Sequence, residues 1–283
     1  MAPVENLSWS VEQRLEFIEF RLFWHGGVNR SDIASEFGVS VPQASKDLSR
    51  YQAIMPRNVR YDASEKRYIA TEQFAPRFIS LDPEAFLLGQ VRAHDALAGP
   101  IHSEVCPLPR RSVDVDTLRK IVAAASGESA IEICYQSMSA QKPELEWRWI
   151  SPHAFGSDGL RWHVRAFCHQ DQKFKDFLLS RCTDARGRAD AGARSSDDQN
   201  WNHMFEVELE PNPRLSTAQK AAVATDFCML ENCARVQVRK AMLYHFLRRM
   251  RLDAVDSLDG PQQAPVVIRN RAAFDTALSE ALA

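Results

Sequence analysis

The chain has 283 residues, more than one compact domain of ordinary size needs, and suits two or three. Its 45% hydrophobic and 25% charged content is that of a core-forming globular protein, and no apolar run approaches the ~20 residues a lipid-spanning helix requires. A net charge of −2 excludes a uniformly basic nucleic-acid binder, so any contact with DNA must come from local placement of Lys and Arg. The opening Met1-Ala2-Pro3-Val4-Glu5 has neither a basic start nor an apolar stretch, which speaks against a secretory signal. Cys106, Cys134, Cys168, Cys182, Cys228 and Cys233 are scattered without a Cys-x-x-Cys pair, so reduced, buried thiols in a cytoplasmic protein are expected.

The first segment reads as helix, short helix, tight turn, helix. Ser10 and Gln13 have capping-box spacing, and Val11, Leu15, Ile18 and Leu22 fall on one stripe that ends at Gly26-Gly27. A second helix over 30–37 buries Ile33 and Phe37, and Gly38 supplies the turn. Ser40-Val41-Pro42-Gln43 opens a third, with proline in the first turn where amides lack intrahelical partners. Ala44, Leu48 and Tyr51 form its inner face, and Gln43, Lys46, Asp47 and Arg50 share the other. This is the order of a helix-turn-helix, and the hairpin expected from Val59 and Tyr61, the polar turn at 62–65, and Tyr68 with Ile69 stands where a wing belongs. Ser40, Gln43, Ser45, Lys46 and Arg50 are the candidate DNA contacts, with Gln43 placed to read a base edge and Ser40, Lys46 and Arg50 to fix phosphates. Arg30, Lys66 and Arg67 would add backbone contacts. The plainer alternative is a small helical bundle with a hairpin and a solvated polar face.

A connecting helix is expected over 82–97, then a proline-bearing linker over 100–111 and a helix over 115–126 closed by Gly127. From Ala130 the period changes to two. Ile131 and Ile133 lead to Tyr135, Ser137 and Ser139, and further strands are expected over 145–152, 159–168 and 174–181. Residues 189–200 are small, polar and charged and read as a flexible connection. The last segment alternates strand (Phe205, Val207, Leu209), helix from Thr217, strand at 234–238, helix at 240–251, strand at 266–268 and a terminal helix. The whole is an α+β multidomain order.

The strand over 159–168 carries the most chemistry. Trp162, Val164 and Ala166 alternate with Arg161, His163 and Arg165, so one face is a core and the other a row of cations. Such a row repels itself unless solvent, carboxylates or an anionic ligand neutralises it. Lys175 and Arg181 are expected on a common face of the next strand. Together with Tyr135, Ser137, Ser139 and His153 this set reads as an anion site, guanidinium forks matching paired phosphate oxygens. The alternative is a sheet face laced with salt bridges. Cys228 and Cys233 lack metal-ligand spacing, Cys168 and His169 are adjacent on a strand and point to opposite faces, a poor geometry for nucleophile and base, and Glu144 and Glu146 read as solvated. No hydrolase, phosphate-loop or dinucleotide motif occurs, so neither enzyme activity, metal nor cofactor is expected.

The run Tyr135-Gln136-Ser137-Met138-Ser139, then Ile150-Ser151-Pro152-His153, the strand from Arg161 to Ala166, Phe174-Lys175-Asp176-Phe177 and Leu179-Ser180-Arg181 resembles WYL-domain regulators in order and spacing. Segments 14–24 and 41–48 are similar to the subgroup controlling bacterial anti-phage defence operons, the BrxR and CapW type. The resemblance spans nearly the whole chain. It implies a winged helix-turn-helix domain with its connecting helix over 1–98, a linker and helix over 99–129, a WYL domain with an Sm-like β-barrel over 130–190 and a dimerisation domain over 201–283. It also implies a homodimeric repressor on a palindromic double-stranded operator, relieved by an anionic nucleotide or oligonucleotide effector, with ligand residues at Ser137, Ser139, His153, Arg161, His163, Arg165 and Arg181. An activator of like architecture, or an RNA-binding module, stays open. The naming triplet Trp-Tyr-Leu is here Trp162-His163-Val164, which replaces a stacking ring with an imidazole.

Overall fold

The computed structural model describes residues 7–92, 105–109, 111–138, 144–255 and 260–283. The chain divides into two units, Met1–Pro107 and Leu108–Ala283.

The first unit comprises α1 (Trp9–Trp24), β1 (Gly27–Val28), α2 (Arg30–Phe37), α3 (Val41–Ile54), β2 (Val59–Asp62), β3 (Arg67–Ala70) and α4 (Pro83–Arg92). Leu15, Ile18, Leu22, Ile33, Ala44, Leu48 and Tyr51 are buried in one core, as their helical spacing dictates. Phe37 is only half-buried, set edge-on to Phe17. The expected box at Ser10 does not form, because α1 begins two residues earlier: Ser8 is its N-cap and Gln13 turns to Glu16. The full capping box belongs to α2 instead, where Asn29 and Asp32 each accept the other's backbone N–H. Gly38 takes φ 61°, the left-handed turn that leads into α3, and Ser40 caps α3 by accepting the Gln43 N–H. The wing hairpin gains a third strand, in the order β1-β3-β2.

Polar groups hold this core together as well. Glu19 is fully buried; one oxygen accepts the Tyr51 hydroxyl at 2.9 Å and the other accepts the backbone N–H groups of Arg77, Phe78 and Ile79. Asn58 donates to Tyr51 and exchanges hydrogen bonds with the Ala75 backbone. The strap at 75–79 is thus hung from Glu19 of α1 and from Asn58, in the turn between α3 and β2. Trp24 stacks on Phe86 at 4.3 Å, which seats α4 on α1. The part of the expected connecting helix beyond 92 lies outside the described residues.

The second unit opens with α5 (Val115–Ser126), followed by β4 (Ser129–Gln136), β5 (Leu145–Ser157), β6 (Trp162–Cys168), β7 (Lys173–Leu178) and β8 (Cys182–Asp190). The five strands form one antiparallel sheet ordered β7-β6-β5-β4-β8. Ile121 and Ala124 of α5 pack with Ile131, Ile133, Ile150, Val164, Ala166 and Phe177, so α5 belongs to the sheet's core. Among the described residues no ladder joins β7 to β8, so the closed barrel implied by the resemblance is not registered in the backbone pairing.

Several expectations are corrected here. The strand expected over 174–181 stops at Leu178, because Leu179–Arg181 is a 3-10 turn; Lys175 and Arg181 therefore share no strand face. Glu146 lies on β5 and pairs with Arg148 at 2.9 Å. Residues 189–200 are not a loose tether: β8 runs to Asp190, and a 3-10 turn at Ser195–Asp197 leads to α6 (Gln199–Asn202). All six cysteines are free, but Cys106 and Cys228 are exposed.

The remaining elements are β9 (Met204–Pro211), α7 (Thr217–Asp226), β10 (Ala234–Arg239), α8 (Leu243–Arg249), β11 (Val266–Ile268) and α9 (Arg271–Leu282). They match the expected alternation, with β9 central in a sheet ordered β10-β9-β11 and a core built on Val207, Leu209, Leu243, Val266 and Phe274. No helix among the described residues is long and apolar enough to cross a membrane.

Candidate nucleic-acid interface and effector face

In α3 the apolar inner face fixes which residues face outward. Lys46 and Arg50 are exposed and carry no ion pair among the described residues. Asp47, expected on the same outer face, is instead buried, 2.6 Å from Arg14 of α1, and clamps α3 to α1. Gln43 is half-buried and its side-chain amide donates to both Asp47 oxygens, at 3.1 and 3.2 Å, which leaves its carbonyl oxygen uncommitted. Ser40 is spent on the cap, and Ser45 donates to the Val41 carbonyl one turn back. Arg30 is exposed at the start of α2. At the wing tip Lys66 sits exposed at φ 53°, in a turn organised by Asp62 accepting the Ser64 and Glu65 N–H groups. Arg67 behaves differently. Its guanidinium lies over β1 and donates to the His25 carbonyl at 3.0 Å, so it holds the wing to the domain.

On the central sheet, alternation along β6 sends Val164, Ala166 and Cys168 into the core and His163 and Arg165 to the other face, where both are buried. Arg161 precedes β6 and Trp162 is exposed rather than core. Carboxylates meet the cation row. Asp198, 1% exposed, takes two hydrogen bonds from Arg165, at 2.7 and 3.1 Å, and lies 3.0 Å from His153 Nε2. Asp176, directly across from Arg165 on β7, is 3.5 Å from it. Asp158 accepts from Arg161 at 2.8 Å and lies 3.6 Å from His163 and 3.9 Å from His245 of α8. His153 reaches this face because it is the extra residue of a bulge: Pro152 pairs with Ala166 and Ala154 with Arg165.

Burial disfavours the Asp198 carboxylate, but the hydrogen bonds from His153 and Arg165 outweigh that and bring its pKa down to about 2. Asp158 is likewise opposed by burial, yet Arg161 and the Leu160 and Arg161 backbone N–H groups hold it well below the usual carboxylate range. His163 is lowered by burial first and by the neighbouring His245 second.

The structure therefore gathers His153, Arg161, His163 and Arg165 into one network. Arg181, at the end of the 3-10 turn, is half-buried and outside that network, with no hydrogen bond or ion pair among the described residues. Ser137 lies just past β4, and Ser139 is outside the described residues. Tyr135 is a core residue: its hydroxyl accepts the Leu178 N–H and its ring is edge-on to Phe177. Beside Arg165 a cleft of about 480 Å³ opens, lined by Lys175, Asp176, Asp198, Lys240 and Tyr244 among others.

Three family models match in chain order. The BrxR transcriptional regulator winged helix-turn-helix domain matches residues 10–90, the WYL domain 116–186, and the BrxR transcriptional regulator C-terminal dimerization domain 204–274. The DNA-binding transcriptional repressor CapW of Escherichia coli (strain KTE188) is 34% identical over 277 residues, 94% of this chain and 91% of its own. Proteins of the same name are 36% identical in Stenotrophomonas maltophilia and 35% in Pseudomonas aeruginosa, with the same coverage. The chain belongs to the BrxR and CapW family of WYL-domain proteins. A solved proteasome accessory factor B/C of Arthrobacter aurescens matches at 16% identity and a TM-score of 0.31; this chain spans 46% of its length, and the likeness carries no argument.

In this BrxR-type chain the cations of the sheet face follow from the alternation along β6, and the anions that meet them do not. Asp158 and Asp176 flank β6 and stand in or beside segments already singled out, so their period was a usable signal. Asp198 and His245 come from elements remote in sequence, and only the fold brings them to the row.

Proposed function

We propose that the chain is a homodimeric, DNA-binding transcriptional repressor whose α3 enters the major groove of a palindromic operator. The observation that carries this reading is the Lys46–Arg50 edge: it is exposed and, among the described residues, without an ion pair, on a helix whose opposite face is core and whose buried Asp47 is bolted to Arg14. Gln43, oriented by Asp47, is the base-reading candidate, while Lys46, Arg50, Arg30 and Lys66 supply phosphate contacts. Two such helices in a dimer read half-sites about one helical turn, or a multiple of it, apart. The name of the CapW relatives and the match to a dimerization domain support repression and pairing.

The finer reading follows the family resemblance: a cytoplasmic repressor of a phage-defence operon, relieved by an anionic nucleotide or oligonucleotide on the WYL domain, whose bulged sheet is a variant of the Sm-like barrel. Cations beside the cleft suit phosphates, and an incoming anion competes with Asp198 and Asp176 for Arg165. Such a ligand acts only through differential affinity for two states.

The test is a gel shift on the upstream DNA. Arg50→Ala should weaken retention with the dimer intact, and unchanged retention removes that residue from the interface. Arg161→Ala with Arg181→Ala should abolish the response to inducer and keep operator binding; losing both together assigns those arginines to the fold. Deleting the gene should raise expression of the controlled operon, whereas a fall favours an activator.

A further inference from the structure

We propose that Asp158, His163 and His245 form a site for a borderline divalent cation, zinc(II) foremost, that joins the central sheet to α8. One ligand atom from each residue lies within 4.8 Å of the others. The three come from the turn before β6, from β6 itself and from α8, so no sequence spacing announces them.

The strongest observation is His163. The residue is 7% exposed, and its Nε2 is buried without a hydrogen-bond partner. A buried polar atom left unpaired is costly, and native folds rarely leave one without a reason. This nitrogen faces Asp158 Oδ2 at 3.6 Å, beyond hydrogen-bond reach but with room for an ion between. His245 presents Nδ1 to the same oxygen at 3.9 Å, and the two imidazole rings stand 4.6 Å apart. Around a tetrahedral ion with bonds of about 2.0–2.1 Å, ligand atoms sit roughly 3.3 Å from one another, so the two imidazoles must draw in by up to about an ångström, a movement side-chain rotation supplies, to close the set.

The outer partners fit as well. Asp158 Oδ1 accepts the backbone N–H groups of Leu160 and Arg161, which fixes the carboxylate. The far nitrogen of His245 faces Asp176 at 3.8 Å, longer than a hydrogen bond, which places a carboxylate on the side where the outer partner of a metal-bound imidazole stands. Arg161 donates to Asp158 Oδ2, which keeps a lone pair for the ion while the guanidinium tempers the affinity. Two imidazoles and one carboxylate suit zinc(II), cobalt(II) or nickel(II); the oxygen-poor set does not suit magnesium or calcium. Three protein ligands leave a fourth position for water or an anionic oxygen. This inference does not rest on the DNA-binding reading.

The test uses the full chain after chelator treatment, titrated with cobalt(II) and zinc(II) chloride. Expected are one cobalt(II) per chain with visible ligand-field bands and no thiolate charge-transfer band, and a zinc-dependent rise in Tm that magnesium does not give. His163→Gln and His245→Gln should each weaken binding beyond the roughly 10–100-fold that an outer partner is worth. Where His163→Gln fails to fold, His245→Gln decides the matter, with cobalt affinity read on the folded variant. Absence of binding, a thiolate band, or cobalt affinity unchanged in His245→Gln overturns the proposal.

Discussion

Asp198 carries more of the second unit than its surroundings suggest. It lies in a polar, small-residue stretch that composition assigns to solvent, and the buried cation it satisfies sits on a strand 33 residues away. Arg165 was legible from alternation; its partner was not, because periodicity says which way a side chain points and nothing about what meets it. Asp198→Asn turns the nearer of the two carboxylates on Arg165 into a neutral amide and leaves Asp176 at 3.5 Å, so the cost is at most the about 3–5 kcal/mol of a broken buried pair, read as a lowered denaturant midpoint. The pH dependence has a definite sign. The folded carboxyl is held at about 2 against about 3.9 when unfolded, so its contribution of about 2–3 kcal/mol is whole above about pH 5 and lost as pH falls through about 2. Denaturation series between pH 5 and 2 should show a steeper loss in the native chain than in Asp198→Asn. Equal slopes would place the acid sensitivity elsewhere.

Among the elements, α3 was read almost whole: its cap, its proline and its inner face follow from local chemistry. The misreading was Asp47. A stripe at helical spacing gives a face, but the edge of that face is decided by the neighbouring helix, and Arg14 reaches Asp47 from α1. Asp47→Ala should therefore destabilise the first unit by about 3–5 kcal/mol, and Arg14→Met combined with it should restore much of that loss, a double-mutant cycle by denaturant titration. Lys46→Ala should leave stability within ~0.5 kcal/mol and lower the slope of log affinity against log salt by about 1. The capping box of α2 escaped notice because Asn29 follows two buried residues of β1, a strand too short to show a period.

At the scale of the molecule, the order of elements was legible wherever a clear period of 3.6 or 2 ran unbroken, as from β9 to α9. It failed where the period was interrupted, at the bulge of His153, the 3-10 turn after β7, and the charged edge strand β8. The two units have separate cores. Glu19→Ala strands the Arg77, Phe78 and Ile79 N–H groups, at about 1–3 kcal/mol for each group left buried. In calorimetry of the full chain it should lower the transition of the first unit and leave that of the second in place; a common shift would show that the units melt as one.

Asp198 also accepts the Trp201 N–H at the start of α6, and the Trp201 carbonyl in turn accepts from Arg239 of β10 at 2.6 Å. One carboxylate thus gears β5, β6 and a four-residue helix together, and that helix meshes with the strand beside β9. Arg165, Asp198, Trp201 and Arg239 are thereby strung on one unbroken run of hydrogen bonds from the central sheet to β10.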